Sequence, residues 1–301
     1  MMTPYIQQPD LTKKFNFSVS LLAWGLNEEE LLEGFLSRAF ALLDATVEDY
    51  EVIFVDDDST DETANILEAY RQREPRLKVI TNAQNVNVGI SCRRAINAAS
   101  KDFLFWQTVD WSYDIDALRI YLELLKHYDV VQGIRPVPER LLSYIPVLRS
   151  IYRVKGRSDN LWKAMVSLGN YYVQRILFGV HFHDFQNVTF YPTKLAQSLD
   201  LQGVTPFVNP EMLIKAFYRR SRFIEVPISF IPRSKGEAKG TKIMTILRTI
   251  ADIIKHWVAW GWRIRLPSAR RNRGSIQRVA NPIRLPDEVL VLILPLLKKF
   301  R

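Results

Sequence analysis

Four short stretches carry side chains able to do chemistry. VDDDSTD (55–61) closes an apolar run with three adjacent carboxylates. Acids at the end of a strand can accept hydrogen bonds from a base N–H or from ribose hydroxyls. The plainer reading is a helix cap, but a cap does not need three acids that repel one another. FLFWQTVDWSYD (103–114) ends a second apolar run in Asp110 and Asp114. Carboxylates so placed hold Mg2+ or Mn2+, with substrate phosphates filling the rest of the shell. The plainer reading makes Asp110 a turn acid and Asp114 the cap of a helix starting at Ile115. RSKGEAKGTK (233–242) sets Arg233, Lys235 and Lys239 around two glycines. Such a loop can close over a diphosphate, or it is a solvated run of charge. HFHD (181–184) has a His-x-His spacing, but no third His lies nearby, which disfavours zinc. Asp184 alone is the more interesting residue of that stretch. The chain has no Gly-x-Gly-x-x-Gly, P-loop or Gly-x-Ser-x-Gly, which weakens dinucleotide, NTPase and hydrolase readings.

The elements that must position these residues alternate. Strand-like runs at 17–25, 51–57, 77–83, 103–110 and 130–135 are separated by helical patterns. The first helix follows Asn27 as its cap and carries Glu28, Glu29 and Glu30 in its first turn, running to about Leu43. The second opens at Ser59; the third and fourth span 88–100 and 115–128. A strand–helix period near 30 residues predicts a mostly parallel sheet with helices on both faces, binding its ligand at the carboxyl ends of the strands. On a strand, Thr108 and Asp110 share a face. After Arg135 comes a Pro-punctuated basic loop. Helical patterns follow at 160–179 and 209–220, with a strand at 223–231 between the latter and the charged loop. Segment 241–265 places Ile243, Ile246, Leu247, Ile250, Ile253, Ile254, Trp257 and Val258 on one stripe, opposite Arg248, Asp252, Lys255 and His256. Residues 266–285 read as poorly ordered, and 289–297 as an apolar run too short to span a bilayer that could add a surface anchor.

The 301 residues are 48% hydrophobic and 24% charged, enough for one large core. A lone Cys92 excludes a disulfide framework and fits a reducing compartment. No secretory signal and no spanning segment is legible. The net charge of +9 points to an anionic partner, and no acid falls between Ile253 and Pro286. A nucleic-acid partner is disfavoured, because the basic tail lacks interleaved aromatics beyond Trp262. An anionic membrane surface fits better: the amphipathic segment ends in Trp257, Trp260 and Trp262 and runs into arginines. The competing reading packs that helix on the domain and leaves the arginines solvated.

In their order, these pieces resemble glycosyltransferase family 2, and more narrowly the polyprenyl-phosphate sugar transferases of the dolichyl-phosphate mannose synthase type. WGLNE (24–28) occupies the place of the family's Pro-Ala-Tyr-Asn-Glu segment, with Trp24 for the proline. VDDDSTD matches its Val-Asp-Asp-x-Ser-x-Asp, and NVNVGISCRRAINAAS (85–100) its Asn-x-Gly helix. DVVQGIR (129–135) matches its Asp-Val-Val-x-Gly-x-Arg, and FIEVPISFIPRSKGEAKG its Glu-Val-Pro…Gly-Glu-Ser-Lys segment, with Ala238 for Ser. The similarity covers about residues 17–240. Two departures stand out. The family's Asp-x-Asp metal motif falls on Thr108-Val109-Asp110, so its first acid is missing. Its Asp-x-x-Ser-Gly-Phe-Arg falls on DFQNVTFY (184–191), keeping only Asp184.

The resemblance implies a GT-A fold: a mostly parallel sheet flanked by helices, here followed by C-terminal amphipathic helices. It divides the chain into an N-terminal tail (1–16), a catalytic domain (17–240) and an amphipathic, basic extension (241–301). It implies an inverting transfer from a nucleotide-diphosphate sugar to a polyprenyl phosphate, on the cytoplasmic face of a membrane. Trp24, Asn27, Glu28, Asp56, Asp57, Asn87, Arg93 and Arg135 would contact the donor. Asp110 would hold a divalent cation, Mg2+ or Mn2+, alone and therefore weakly. Arg233 and Lys239 would neutralise phosphates, and Asp184 would serve as base or orient the acceptor. A glycan hydroxyl acceptor, a metal-deficient binding protein and self-association remain open alternatives.

Overall fold

The computed structural model describes residues 13–135, 161–231, 243–266, 273–278 and 287–297. Its centre is one eight-stranded sheet in the order β3-β2-β1-β4-β6-β5-β7-β8. β1 (Val19–Gly25), β2 (Tyr50–Asp56), β3 (Leu77–Thr81) and β4 (Phe103–Trp106) are mutually parallel. All seven residues of β2 are buried. A strand covered on both faces reads as a continuous apolar run rather than an alternation, which is how YEVIFVD reads. β5 (Val130–Ile134), β7 (Arg222–Pro227) and β8 (Ser275–Arg278) form a second parallel group. β6 (Thr189–Pro192) joins the two groups, antiparallel to both neighbours.

The helices of the first half are α1 (Glu29–Thr46), α2 (Thr63–Arg73), α3 (Val88–Ala98) and α4 (Leu118–Leu124). They follow β1 to β4 in turn, as the alternation predicts. α5 (Leu161–Phe178), α6 (Thr193–Ser198) and α7 (Val208–Phe217) flank the later strands. α8 (Ile243–His256) continues through a π-helical turn (Trp257–Gly261) into a short 3-10 turn (Arg263–Arg265), and α9 (Asp287–Leu297) ends the described chain.

Four sequence expectations are corrected. Segment 266–285 is not without structure, because its residues 275–278 form edge strand β8. The amide of Gly274 donates to the Phe217 carbonyl (2.7 Å), and a Cβ there would overlap the Ser221 carbonyl. The apolar run 289–297 is no surface anchor: Val289, Leu292, Ile293 and Leu296 are buried, and α9 packs on α4. Asn27 does not cap α1 and Ser59 does not open α2. Instead they tie the β1 and β2 ends together, with the Asn27 amide donating to Ser59 Oγ (2.9 Å) and Asn27 Oδ1 accepting from the Thr60 amide (2.8 Å). Asp114 lies before α4 rather than at its cap, its Oδ1 accepting from the Asp116 amide (3.3 Å). Strand β6 and helix α6 have no counterpart in the sequence reading.

Of the two orientations the sequence leaves open for α8, the apolar stripe faces outward rather than onto the domain. Thr249, Asp252, Ile253 and His256 are buried, while Met244, Leu247, Ile250, Ile254 and Val258 are 41–60% exposed. The helix therefore packs through a mostly polar stripe and presents its apolar one outward. Asp252 is the fastening: its Oδ2 accepts from the amides of Val204 (3.0 Å) and Thr205 (3.1 Å) and from Thr205 Oγ1 (2.8 Å), and its Oδ1 lies 3.0 Å from His256 Nε2.

Candidate active site

The chain proceeds from β1 to β2 to β3 on one side of β1 and returns to β4 on the other. The carboxyl edge between β1 and β4 is thus a topological switch point, where neighbouring loops diverge and leave a crevice. Acids from three adjacent strand ends border it: Asp56 at the end of β2 with Asp57 next to it, Glu28 after β1, and Asp110 after β4. Trp24 and Trp106 pack against each other beneath it, with ring centroids 6.1 Å apart. Tyr113 meets Trp106 edge-on at 5.4 Å, and Phe230 continues the aromatic row.

Backbone strain collects on this edge. Among the described residues, five non-glycine residues have left-handed φ, and Asn27, Asp58, Asn87 and Trp111 of these sit in the loops after β1, β2, β3 and β4. Asn and Asp tolerate that region; a buried Trp does so at a cost of about 1–3 kcal/mol. Trp111 is held there by Phe35 (5.8 Å) and by the Arg38 guanidinium 4.5 Å over its ring.

Asp56 and Asp57 each have one oxygen committed to shaping the loop after β2. Asp56 Oδ1 accepts from the Ser59 amide (3.1 Å). Asp57 Oδ1 accepts from Asn82 Nδ2 (2.7 Å) and the Val86 amide (2.9 Å). The second oxygen of each accepts no hydrogen bond among the described residues. Asn82, which the sequence reading passed over, is the hub: it also donates to Ser91 Oγ (2.9 Å) and accepts from Arg94 Nη1. A polar residue directly after β3 was the available signal. Arg94, not Arg93, reaches the acids, through Asn82; Arg93 Nη1 donates to the Leu201 carbonyl (2.8 Å), and both arginines line a cavity of about 480 Å3 between α3 and α6. Asn87 is exposed at the start of α3. There the Gly89 amide donates to the Val204 carbonyl (3.1 Å), an approach that a Cβ would block.

Thr108 and Asp110 lie past the end of β4, which stops at Trp106, so strand alternation does not set their facing. A turn does. The Ser112 amide donates to both Thr108 Oγ1 (3.0 Å) and Asp110 Oδ1 (3.2 Å), and Ser112 Oγ donates to Asp110 Oδ1 (2.5 Å). Gln107, 2% exposed, braces the turn through Nε2 to the Tyr113 carbonyl (2.8 Å) and Oε1 from the Thr108 amide (2.9 Å). Among the described residues no three His, Cys, Asp or Glu side chains gather to hold a metal. The donor set does not fit a cation held by protein alone. It does fit a Mg2+-type cation that takes one carboxylate and fills its shell with water and substrate phosphates.

Arg135 and Asp184 meet beside the β5 end. Arg135 donates through Nε (2.6 Å) and Nη2 (2.7 Å) to the two oxygens of Asp184, and Asp184 Oδ1 also accepts the amides of Phe185 (2.9 Å) and Gln186 (3.1 Å). Asp184 is 2% exposed. Burial disfavours the Arg135 charge, but the Asp184 carboxylate outweighs it and holds the guanidinium above its ordinary range. The expected base thus has its lone pairs spent on a bidentate ion pair and two amides. In the neighbouring His pair, His183 Nδ1 lies 2.6 Å from Glu225 Oε2, an oxygen that also accepts from Arg278 Nε (3.0 Å), a structural network rather than a metal site. Arg233 and Lys239 lie outside the described residues.

Residues 26–178 match the family model described as Glycosyl transferase family 2. A dolichol-phosphate mannosyltransferase of Pyrococcus furiosus is 26% identical over 246 residues, which cover 79% of this chain and 64% of that protein. An undecaprenyl-phosphate 4-deoxy-4-formamido-L-arabinose transferase of Edwardsiella ictaluri is 26% identical over 245 residues, covering 78% and 66%. The chain therefore spans about two thirds of the length of the curated relatives it matches. Among solved structures, glucosyl-3-phosphoglycerate synthase from Mycobacterium tuberculosis, in complex with Mn2+, UDP and glucosyl-3-phosphoglycerate, superimposes with a TM-score of 0.54 at 16% identity over 80% of both chains. The same enzyme with phosphoglyceric acid gives 0.54 at 17% over 80% of both. That likeness carries the fold, which is GT-A.

Proposed function

The chain belongs to glycosyl transferase family 2, and from that premise we propose that it transfers a sugar from a nucleotide-diphosphate donor to a polyprenyl phosphate at a membrane surface, inverting the anomeric carbon. One observation carries this: the crevice between β1 and β4 is bordered by the acids of three neighbouring strand ends and floored by Trp24 and Trp106. The second oxygens of Asp56 and Asp57 suit a base N–H and ribose hydroxyls, with Glu28 beside them. Trp24 offers a face for the base, and Asn27 and Asn87 shape the two loops around it. Arg93 is withdrawn from this assignment, and Arg94 is preferred as the cation supporting the acids through Asn82.

Asp110 is the residue that would hold a divalent cation on the donor diphosphate; bound there, the cation would stabilise charge developing on the leaving oxygen. Thr108 adds a hydroxyl but no charge. Arg233 and Lys239, which the sequence places after β7, are assigned to the same diphosphate.

The acceptor is inferred from the described residues, among which the expected base is already committed. A sugar hydroxyl needs a group to take its proton, within hydrogen-bond reach. Asp184 is saturated by Arg135 and two amides and serves better as a positioning residue. A phosphate monoester has a second pKa near ~6, so it is already a nucleophile at neutral pH. A phosphate acceptor therefore fits this site better than a glycan hydroxyl. The curated relatives are named for dolichol phosphate and undecaprenyl phosphate, which supports the same class.

Peripheral membrane attachment is supported by the outward apolar stripe of α8, flanked by exposed Arg248 and Lys255 and followed by Trp262 (44% exposed). No helix among the described residues is long and apolar enough to cross a membrane. The buried Cys92 thiol, pushed up to about 12 by burial, is compatible with the cytoplasmic face. The test is transfer of radiolabelled sugar from a panel of nucleotide sugars to polyprenyl phosphate in vesicles, with Mg2+ or Mn2+. Lipid-extractable label is expected. Donor binding without transfer to any acceptor would make the chain a binding protein instead.

A further inference from the structure

A second cleft, of about 390 Å3, opens beside the carboxyl-terminal end of α5 and is lined by Tyr172, Arg175, Ile176, Gly179, His181 and Arg273. Arg175 comes from the last turn of α5, His181 from the segment after it, and Arg273 from the approach to β8. Arg175 Nη1 donates to Tyr171 Oη (2.5 Å), and Arg273 Nη2 to Tyr218 Oη at 3.5 Å. No carboxylate among the described residues pairs with Arg175, Arg273 or His181. By contrast Arg278, whose Nη2 donates to the His181 carbonyl (3.0 Å), is neutralised by Glu225. The His181 ring is held below its ordinary value, first by burial and then by Arg175, Arg273 and Arg278, so the cations do converge on it.

The cleft shares no lining residue with the donor crevice, and Arg273 approaches it from the amino end of β8, where Ser275 pairs with Arg222, the first residue of β7. It lies beside the outward apolar surface. Tyr172, Val173 and Ile176 are 39%, 37% and 64% exposed, and the next residue, Leu177, accepts at its carbonyl from Trp257 Nε1 (3.1 Å), just past α8. Two unneutralised guanidiniums give a forked donor set that matches a phosphate. An exposed isoleucine and tyrosine at the rim suit the apolar part of the same molecule.

We propose that Arg175, His181 and Arg273 form a binding site for the phosphate of an anionic phospholipid headgroup, with Tyr172 and Ile176 against its glycerol and upper acyl carbons. The site fixes how the protein sits on the membrane, beyond what the α8 stripe alone determines. It does not depend on the transferase reading, since it uses none of the residues assigned to the donor.

The test is flotation of the full chain with phosphatidylcholine vesicles, with and without phosphatidylglycerol. Arg175→Gln and Arg273→Gln should each weaken the phosphatidylglycerol-dependent binding by about fivefold, the size expected for one cation near an anionic surface. Arg73→Gln removes the same charge from α2, beside the opposite edge of the sheet, and should leave it unchanged. Equal loss in all three variants would reduce the effect to net charge and overturn the site. So would undiminished binding in both cleft variants. A parallel arm adds inorganic phosphate to the protein without vesicles. If that raises the melting temperature through Arg175 while vesicle binding ignores Arg175, the cleft takes a soluble phosphate and the lipid assignment fails. Nucleotide binding by thermal shift, expected to be unaltered in every variant, reports separately on folding and on the donor site.

Discussion

The junction between α8 and the catalytic sheet is expected to fail in acid for a reason that can be worked from Asp252. Burial alone would raise the Asp252 carboxyl. Hydrogen bonds from His256, the Thr205 side chain and the Thr205 and Val204 amides outweigh it and hold the pKa at about 2, against an ordinary 3.8. A carboxyl depressed on folding contributes stability that is full above its unfolded value and is lost as pH falls through the folded one. The shift corresponds to about 2.5 kcal/mol at pH 7, roughly half of that at pH 3, and under ~0.5 kcal/mol at pH 2. Asp252→Asn keeps the shape and removes the charge. Urea unfolding of the full chain and of the variant at pH 7 and pH 3 should give a stability difference of about 2–3 kcal/mol at pH 7 that shrinks by about half at pH 3. Asp252 is 5% exposed, so solvent screening should not erase the effect. An equal difference at both pH values, or one below ~0.5 kcal/mol at pH 7, would show that the carboxylate does not fasten the helix.

Three further outcomes follow from the site and its surroundings. Asp110→Asn should abolish the gain in nucleotide-sugar affinity on adding Mn2+, measured by calorimetry, while leaving affinity in chelator nearly unchanged; an intact metal effect would remove Asp110 from the metal assignment. Asp184→Asn leaves Arg135 without its carboxylate and should cost about 3–5 kcal/mol of stability, whereas the pH dependence of kcat should keep its acidic limb; loss of that limb would restore Asp184 as the base. Replacing Leu247 and Ile254, 54% and 51% exposed, with Gln should change stability by less than ~0.5 kcal/mol each yet weaken vesicle binding more than tenfold. Unchanged vesicle binding would remove the α8 stripe from the membrane face.

The alternation of apolar runs with helical patterns is enough to read β1 to β5 and their helices, most plainly at β1, β2, β4 and β5, whose burial on both faces makes each an apolar run. The later elements were harder for identifiable reasons. β6 is four residues long and takes its stability from pairing with β4 and β5. SIQR, which becomes β8, has no strand-like pattern and exists by pairing with β7. The stripe of α8 is legible too, but hydrophobic periodicity alone does not say whether it faces the protein or a membrane. Asp252, buried on the amides of Val204 and Thr205, turns the polar side inward and leaves the stripe exposed. Helix starts are likewise not fixed by residue type. Asn27 and Ser59 have the right types for caps, and the partner each found lies 32 residues away in sequence.

At the strand ends, residue type told more than residue position. The acids of VDDDSTD and Asp110 do share one edge, yet the turn after β4 rather than the pleat brings Thr108 and Asp110 onto one amide. That amide bears on the missing acid. In a turn where Ser112 N–H is shared by Thr108 Oγ1 and Asp110 Oδ1, a second carboxylate at 108 would place two negative charges on one donor. With no cation present they would repel; a tightly held cation would relieve them. Threonine keeps the hydrogen bond without the repulsion, so the turn needs no metal to hold its shape. The same economy holds at Asp184, whose charge is spent on Arg135 before any substrate arrives. Among the described residues Asp110 is the acid placed for a metal, while the expected base, Asp184, is committed to Arg135. That pairing is the ground for proposing an acceptor that is already ionised, a phosphate rather than a hydroxyl.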